Sequence, residues 1–118
     1  MLDTAARIVQ LIQTRRFTLR DEKALQYEMQ KEFEKEGLAF RREVRLSDAD
    51  IVDFLFDGGI ALEVKTKGGK RDIYVQCVRY CASPEVNCLI LATNVAIGFP
   101  PTIAGKPAAI ASLGKGWL

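Results

Sequence analysis

The stretch IVDFLFDGGIALEVK, residues 51–65, decides how this chain folds. Apolar runs from Ile51 to Phe56 and from Ile60 to Thr66 read as strands, and Asp57-Gly58-Gly59 between them reads as a turn. Three charged residues, Asp53, Glu63 and Lys65, fall where the pattern predicts core. A buried charge is costly unless it is paired or binds a metal. A half-exposed hairpin with an ordinary ion pair accounts for one such residue. It accounts less well for three, because Ile51, Leu55 and Ala61 alternate onto the same face.

Glu63 and Lys65 are two apart and leave the same face of their strand. Whether Asp53 joins them depends on the hairpin register. A two-residue Gly58-Gly59 turn sets Asp53 opposite Val64, with Glu63 facing away. A three-residue Asp57-Gly58-Gly59 loop sets Asp53 opposite Glu63, and it needs a glycine at its left-handed position, which Gly59 supplies. The second register is the expected one. It brings two carboxyl roots to about 5 Å with a lysine beside them. Like charges at that distance repel unless a hard divalent cation lies between their oxygens. With oxygen ligands only, Mg²⁺ or Mn²⁺ is the expected ion.

Outward from the hairpin, the pattern is helical before and mixed after. Asp3 or Thr4 caps a first helix to about Gln13, with Ala5, Ile8, Val9 and Ile12 on one side. Thr18-Leu19-Arg20-Asp21 reads as the start of a second helix ending at Gly37, with Leu25, Met29 and Phe33 as its apolar stripe. From Leu38 the period alternates: Phe40, Val44 and Leu46 point one way, Arg41, Glu43 and Arg45 the other, as in an exposed edge strand. Ser47 to Asp50 is a turn. After the basic Gly68-Gly69-Lys70-Arg71 loop, Asp72 caps a helix from Ile73 to about Ala82. Residues 87–93, NCLILAT, read as a buried strand reached by a parallel crossover. Residues 94–107 read as loop, and Ala108 to Leu113 as a weak last strand.

The 118 residues carry 17 Lys+Arg against 15 Asp+Glu and no histidine. That length suits one domain over 1–118. The missing histidine excludes Ser-His-Asp triads, HExxH zinc sites and nucleases with a histidine base. With no such base in the chain, activation of an attacking water is assigned to the cation. Cys77, Cys81 and Cys88 form no CxxC pair and are odd in number, so they read as core residues in a reducing cytoplasm. No apolar run spans a membrane, and no basic-then-apolar leader marks a secretion signal.

Helical residues can complete the pocket. Glu22 is in register with the apolar stripe near the start of its helix. Glu32 borders the stripe one turn on from Glu28, which faces away, and both remain alternatives to Glu22. Gln76 shares a face with Ile73, Cys77 and Tyr80, and Tyr80 itself reads as core.

Asp53 followed by Glu63-Val64-Lys65 after a glycine turn, in αβββαβ order, resembles the PD-(D/E)xK nuclease superfamily. It is most similar to small stand-alone domains of the VRR-NUC and Holliday-junction resolvase kind, over about residues 18–93. The resemblance implies an α/β fold with a restriction-endonuclease-like core: a mixed four- to five-stranded sheet flanked by helices, here with an extra N-terminal helix. It implies metal ligands at Asp53 and Glu63, aided by Glu22 and the Val64 carbonyl, with Lys65 serving the water or the transition state. Gln76 occupies the place of a frequent helical glutamine. The motif's proline is absent, since Val52 precedes Asp53.

The expected activity is therefore Mg²⁺- or Mn²⁺-dependent hydrolysis of DNA phosphodiesters, as an endonuclease rather than an exonuclease. Lys67, Lys70 and Arg71 would hold the phosphate backbone, with Arg41, Arg42 and Arg45, and beyond them Arg15 and Arg16, extending the track. Small size and the resemblance suggest a homodimer with two sites on two strands. The alternative is a nuclease-fold module that binds nucleic acid or protein without turnover.

Overall fold

The computed structural model describes residues 2–19 and 21–114. The described residues form three helices, α1 (Leu2–Thr14), α2 (Glu22–Lys35) and α3 (Lys70–Cys81). They also form six strands: β1 (Phe40–Arg45), β2 (Ile51–Phe56), β3 (Ile60–Lys65), β4 (Cys88–Thr93), β5 (Thr102–Ile103) and β6 (Lys106–Ser112). The mixed α/β sheet has the order β1-β2-β3-β4-β6-β5. β1, β2 and β3 are antiparallel neighbours, β3, β4 and β6 run parallel, and β5 folds back on β6. The sheet is thus one strand wider than expected. β5 lies within residues 94–107, which had read as loop; it is a two-residue strand closed by Ala104 and Gly105, both at positive φ.

Two apolar layers enclose the sheet. On one side α1 and α2 bury Ile8, Ile12, Leu25, Met29 and Phe33 against Phe54, Leu62, Ile90 and Ala111. On the other, α3 buries Ile73, Cys77, Tyr80 and Cys81 against Val52, Ala61, Leu89 and Leu91. Every residue of β4 is buried, which explains why it reads as an unbroken apolar run. Among the described residues, no helix is long and apolar enough to cross a membrane.

α2 begins three residues later than Thr18 suggests. Asp21 is the cap, its Oδ1 accepting from the Ala24 N–H at 2.8 Å, while the Thr18 N–H is held by Glu28 instead; Arg20 lies outside the described residues. The helix ends as Gly37 predicts. With Gly37 at φ 72, its N–H reaches Glu34 O and the Leu38 N–H reaches Phe33 O.

The hairpin follows the three-residue loop register, with Phe56 opposite Ile60 and Phe54 opposite Leu62. Gly59 has φ 78, and a Cβ there would sit 2.5 Å from Asn87 Nδ2 and 2.8 Å from Glu85 O. The same turn accepts the Asn87 and Cys88 N–H groups at Gly59 O, which ties the hairpin to the start of β4. Gly59→Ala therefore combines left-handed strain with a steric clash. Its cost in urea denaturation should exceed about 1–2 kcal/mol.

One expectation about β1 fails. Phe40 and Val44 do not share a face: Phe40 joins the α2 side and Val44 the α3 side. Glu43 between them has φ 48, a backbone state that breaks strand alternation. β2 switches faces at the matching place, with Phe54 on the α2 side and Val52 on the α3 side. Between these two lies Asp53.

Candidate metal centre

Asp53 sits where β2 leaves regular pairing on both sides. The register with β1 pairs Arg42 with Phe54 and Val44 with Val52 but skips Glu43 and Asp53. The register with β3 stops at Phe54 and Leu62, one step before Asp53 and Glu63 would face each other. Side chains bridge the strands there instead. Asp53 Oδ2 accepts the Val64 N–H at 2.8 Å, and Glu63 Oε1 accepts the Asp53 N–H at 3.3 Å. The two carboxyl groups lie close enough to influence each other's protonation.

Lys65 Nζ lies 3.6 Å from Glu63 Oε2, with its side chain 24% exposed against 5% for Glu63. The amine can thus meet an arriving group while the carboxylate stays enclosed. The Tyr80 hydroxyl, on α3, is 3.0 Å from Glu63 Oε2 and 3.0 Å from the Ile51 carbonyl, and its single proton serves one of them at a time.

Burial dominates the electrostatics. It pushes the Glu63 carboxyl up to about 8, with the neighbouring Asp53 charge adding to the rise and Lys65 and Tyr80 opposing it. Burial also raises Asp53; the Val64 N–H, Glu63 and Lys65 counter this, and Glu22 reinforces it. Two ionised carboxylates against one close amine would leave net negative charge in a dry place; burial therefore favours a proton on Glu63, and a divalent cation would take that proton's place.

The donor set fits such an ion. Among the described residues, no three carboxylate, histidine or cysteine side chains converge to hold a metal unaided. Mg²⁺, however, commonly takes only one or two carboxylates and completes its shell with water and substrate phosphate oxygens. The Val64 carbonyl is also available, since a strand residue's N–H and C=O leave the same edge and its N–H points to Asp53.

Of the three helical acids, Glu22 is the one within electrostatic reach of Asp53. Glu28 is engaged with the Thr18 N–H, and Glu32 with Arg15 at 2.8 Å. Beside Glu22 opens a cavity of about 390 Å³ lined by Asp21, Glu22, Lys23, Thr66 and Lys67. Gln76 is half-buried on α3, one residue before Cys77, and makes no side-chain hydrogen bond among the described residues. The cysteines are buried free thiols, with burial pushing Cys77 up to about 12 and Cys81 to about 11, so none is a nucleophile.

The basic residues divide into two groups. Lys67, on the loop after Lys65, and Lys70 and Arg71, which open α3 two residues before the expected Asp72 cap, are exposed and form no ion pair among the described residues. Arg41 pairs with Glu85 at 3.7 Å toward the Gly59 end of the hairpin, away from Asp53. Arg45 donates to the Ser47 and Asp48 carbonyls, and Arg15 pairs with Glu32 and Glu36. Arg42 turns inward, over the Phe54 ring at 4.4 Å, instead of extending a phosphate track. It sits at the same strand parity as Phe40, two residues before it and on the α2 side, a sign in the sequence that it belongs with the inward set.

Tyr80 does more than fill the core. A buried phenol needs a partner, and its place on the face shared by Cys77 and Gln76 aims it at the strand carrying Glu63. Asp50, a turn residue with no pattern in the sequence to single it out, is buried and accepts from Arg79 Nε at 2.9 Å, pinning the β1–β2 corner to α3. Tyr80→Phe removes the one proton that the Glu63 carboxyl oxygen and the Ile51 carbonyl share, and its cost in urea denaturation should be about 1–3 kcal/mol.

No protein-family profile, curated protein or solved structure matches this chain, so the chemistry of the centre has to be read from its own atoms.

Proposed function

We propose that this chain is a divalent-cation-dependent nuclease of the PD-(D/E)xK type that hydrolyses phosphodiester bonds in DNA. One observation carries the reading: Asp53 and Glu63 meet beside Lys65 at the point where the β2–β3 ladder gives way to side-chain bridges. The succession α2-β1-β2-β3-α3-β4, with a parallel β3–β4 pair, is compatible with a restriction-endonuclease-like core.

Mg²⁺ or Mn²⁺ bound there would polarise a phosphate oxygen and acidify a water. Asp53 and Glu63 would hold the ion, with the Val64 N–H orienting the first and Tyr80 the second. Glu22 adds negative charge at the mouth of the site. The partly exposed Lys65 amine is placed to neutralise charge that develops on the phosphate oxygens in the transition state. Gln76, with no side-chain hydrogen bond among the described residues, is available to a water or a phosphate. Lys67, Lys70 and Arg71 would hold the flanking backbone, and this contribution should weaken as salt rises. A homodimer would set two such sites on two strands.

Incubation with supercoiled plasmid in Mg²⁺ or Mn²⁺ tests the proposal. Nicking that requires the cation and stops in EDTA is expected. Binding without nicking in either ion, unchanged by Glu63→Ala or Lys65→Ala, would overturn it in favour of a non-catalytic binding module.

A further inference from the structure

We propose that Arg42 is a positioning residue for Asp53, locking β2 at the ligand to α2, the helix that carries Glu22. The inference rests on the function proposed above. The guanidinium spends its donors on three acceptors from two elements: Nε on the Asp53 carbonyl at 3.2 Å, Nη1 on Gln30 Oε1 at 2.6 Å and Nη2 on Gln26 Oε1 at 2.6 Å. Its flat face lies on Phe54, the residue that follows Asp53. Gln26 is itself buried, so the anchor on the helix side is fixed by packing.

The backbone around Arg42 explains why a side chain is needed at this point. Continuing the register would set Glu43 opposite Asp53, but Glu43 is at φ 48 and that pair is missing from the ladder. Arg42 takes up the Asp53 carbonyl at the break. The Asp53 N–H then goes to Glu63 Oε1, and the Asp53 carboxylate to the Val64 N–H. A residue in an unusual backbone state persists only where its surroundings hold it, and Arg42 supplies that hold. One planar fork thus sets how β2 presents its carboxylate to β3 and how α2 sits above it. Lysine, a single point charge, cannot serve three separated acceptors.

The test uses Arg42→Lys and Arg42→Met with three readouts: Mn²⁺ affinity, plasmid-nicking kinetics and the Val64 amide proton resonance without metal. Loss of support behind a metal ligand typically weakens metal binding or activity about 10–100-fold. Both variants should show that loss in Mn²⁺ affinity and in kcat, with KM for DNA and its salt dependence unchanged and the Val64 amide displaced. Wild-type Mn²⁺ affinity with an unmoved Val64 amide in either folded variant would overturn the inference. So would unchanged Mn²⁺ affinity with a raised KM and a shallower salt dependence, which would make Arg42 a phosphate contact. If both variants fail to fold, Gln26→Met with Gln30→Met keeps Arg42 and removes its anchors. Wild-type Mn²⁺ affinity there counts against the inference, and a 10-fold loss supports it. A wild-type protein that neither binds Mn²⁺ nor nicks DNA defeats the nuclease proposal, and the Val64 amide then decides Arg42's role alone.

Discussion

Glu63→Gln should abolish cation-dependent nicking, by about a thousandfold or more, while making the metal-free protein more stable at neutral pH. Both effects follow from one carboxylate. Electrostatic stabilisation at a reacting phosphate is lost when a ligand charge is removed, and single contributions of this kind are worth about 10²–10³ in rate. The amide keeps the shape of the side chain and can still accept from Tyr80, whose hydroxyl lies 3.0 Å from Glu63 Oε2. It no longer has to take up a proton in order to stay buried at neutral pH. Plasmid nicking over a thousandfold range of protein concentration, paired with urea denaturation, measures both. A fully active Glu63→Gln protein would remove Glu63 from the chemistry. Lys65→Met should behave differently, losing about 10²-fold or more in rate but retaining Mn²⁺ affinity, because in the proposed mechanism the amine serves the phosphate and not the ion.

The second large effect is a loss of stability with rising pH in EDTA. Glu63 ionises near 4.5 in an unfolded chain but is pushed up to about 8 by burial in the folded one. Below 4.5 both states hold the proton, so this contribution to stability is fully present. Between 4.5 and about 8 the unfolded chain releases the proton and the folded protein keeps it, which favours unfolding more with each step in pH. Asp53, also raised, acts in the same direction above its own usual value. The expected fall is on the order of 1 kcal/mol per pH unit. Saturating Mg²⁺ or Mn²⁺ should cancel it, because the ion binds the ionised carboxylates of the folded state only. Urea midpoints at pH 5, 6, 7 and 8, with EDTA or with Mn²⁺, give the comparison. Metal-free stability that stays level or climbs across that range would contradict the assigned burial of the pair.

Much of this was legible before any coordinates. The order of helices and strands, the parallel crossover into β4 and the hairpin register all follow from local patterns. The register was readable because Gly59 supplies the left-handed position of a three-residue loop, which sets Phe56 opposite Ile60. Proximity of Asp53, Glu63 and Lys65 then follows from strand geometry. What escaped was non-local or depended on one backbone angle. Nothing about the side chain of Glu43 announces φ 48, yet that angle sends Phe40 and Val44 to opposite sides of the sheet. Choosing among Glu22, Glu28 and Glu32 required knowing that Arg15 and the Thr18 N–H engage the latter two. The cap of α2 was misplaced by three residues because Thr18 and Asp21 are both competent caps, and only Asp21 reaches the Ala24 N–H.

The left-handed residue in β1 has a consequence for how copies of this chain can meet. β1 is the outermost strand on its side of the sheet, and its middle is interrupted at Glu43 between exposed Arg41 and Arg45. An interrupted, charged border is a poor template for a foreign strand. This rim thus resists sheet-to-sheet aggregation. A two-fold assembly would form elsewhere than across β1, leaving the hairpin that carries Asp53 and Glu63 undisturbed by its partner.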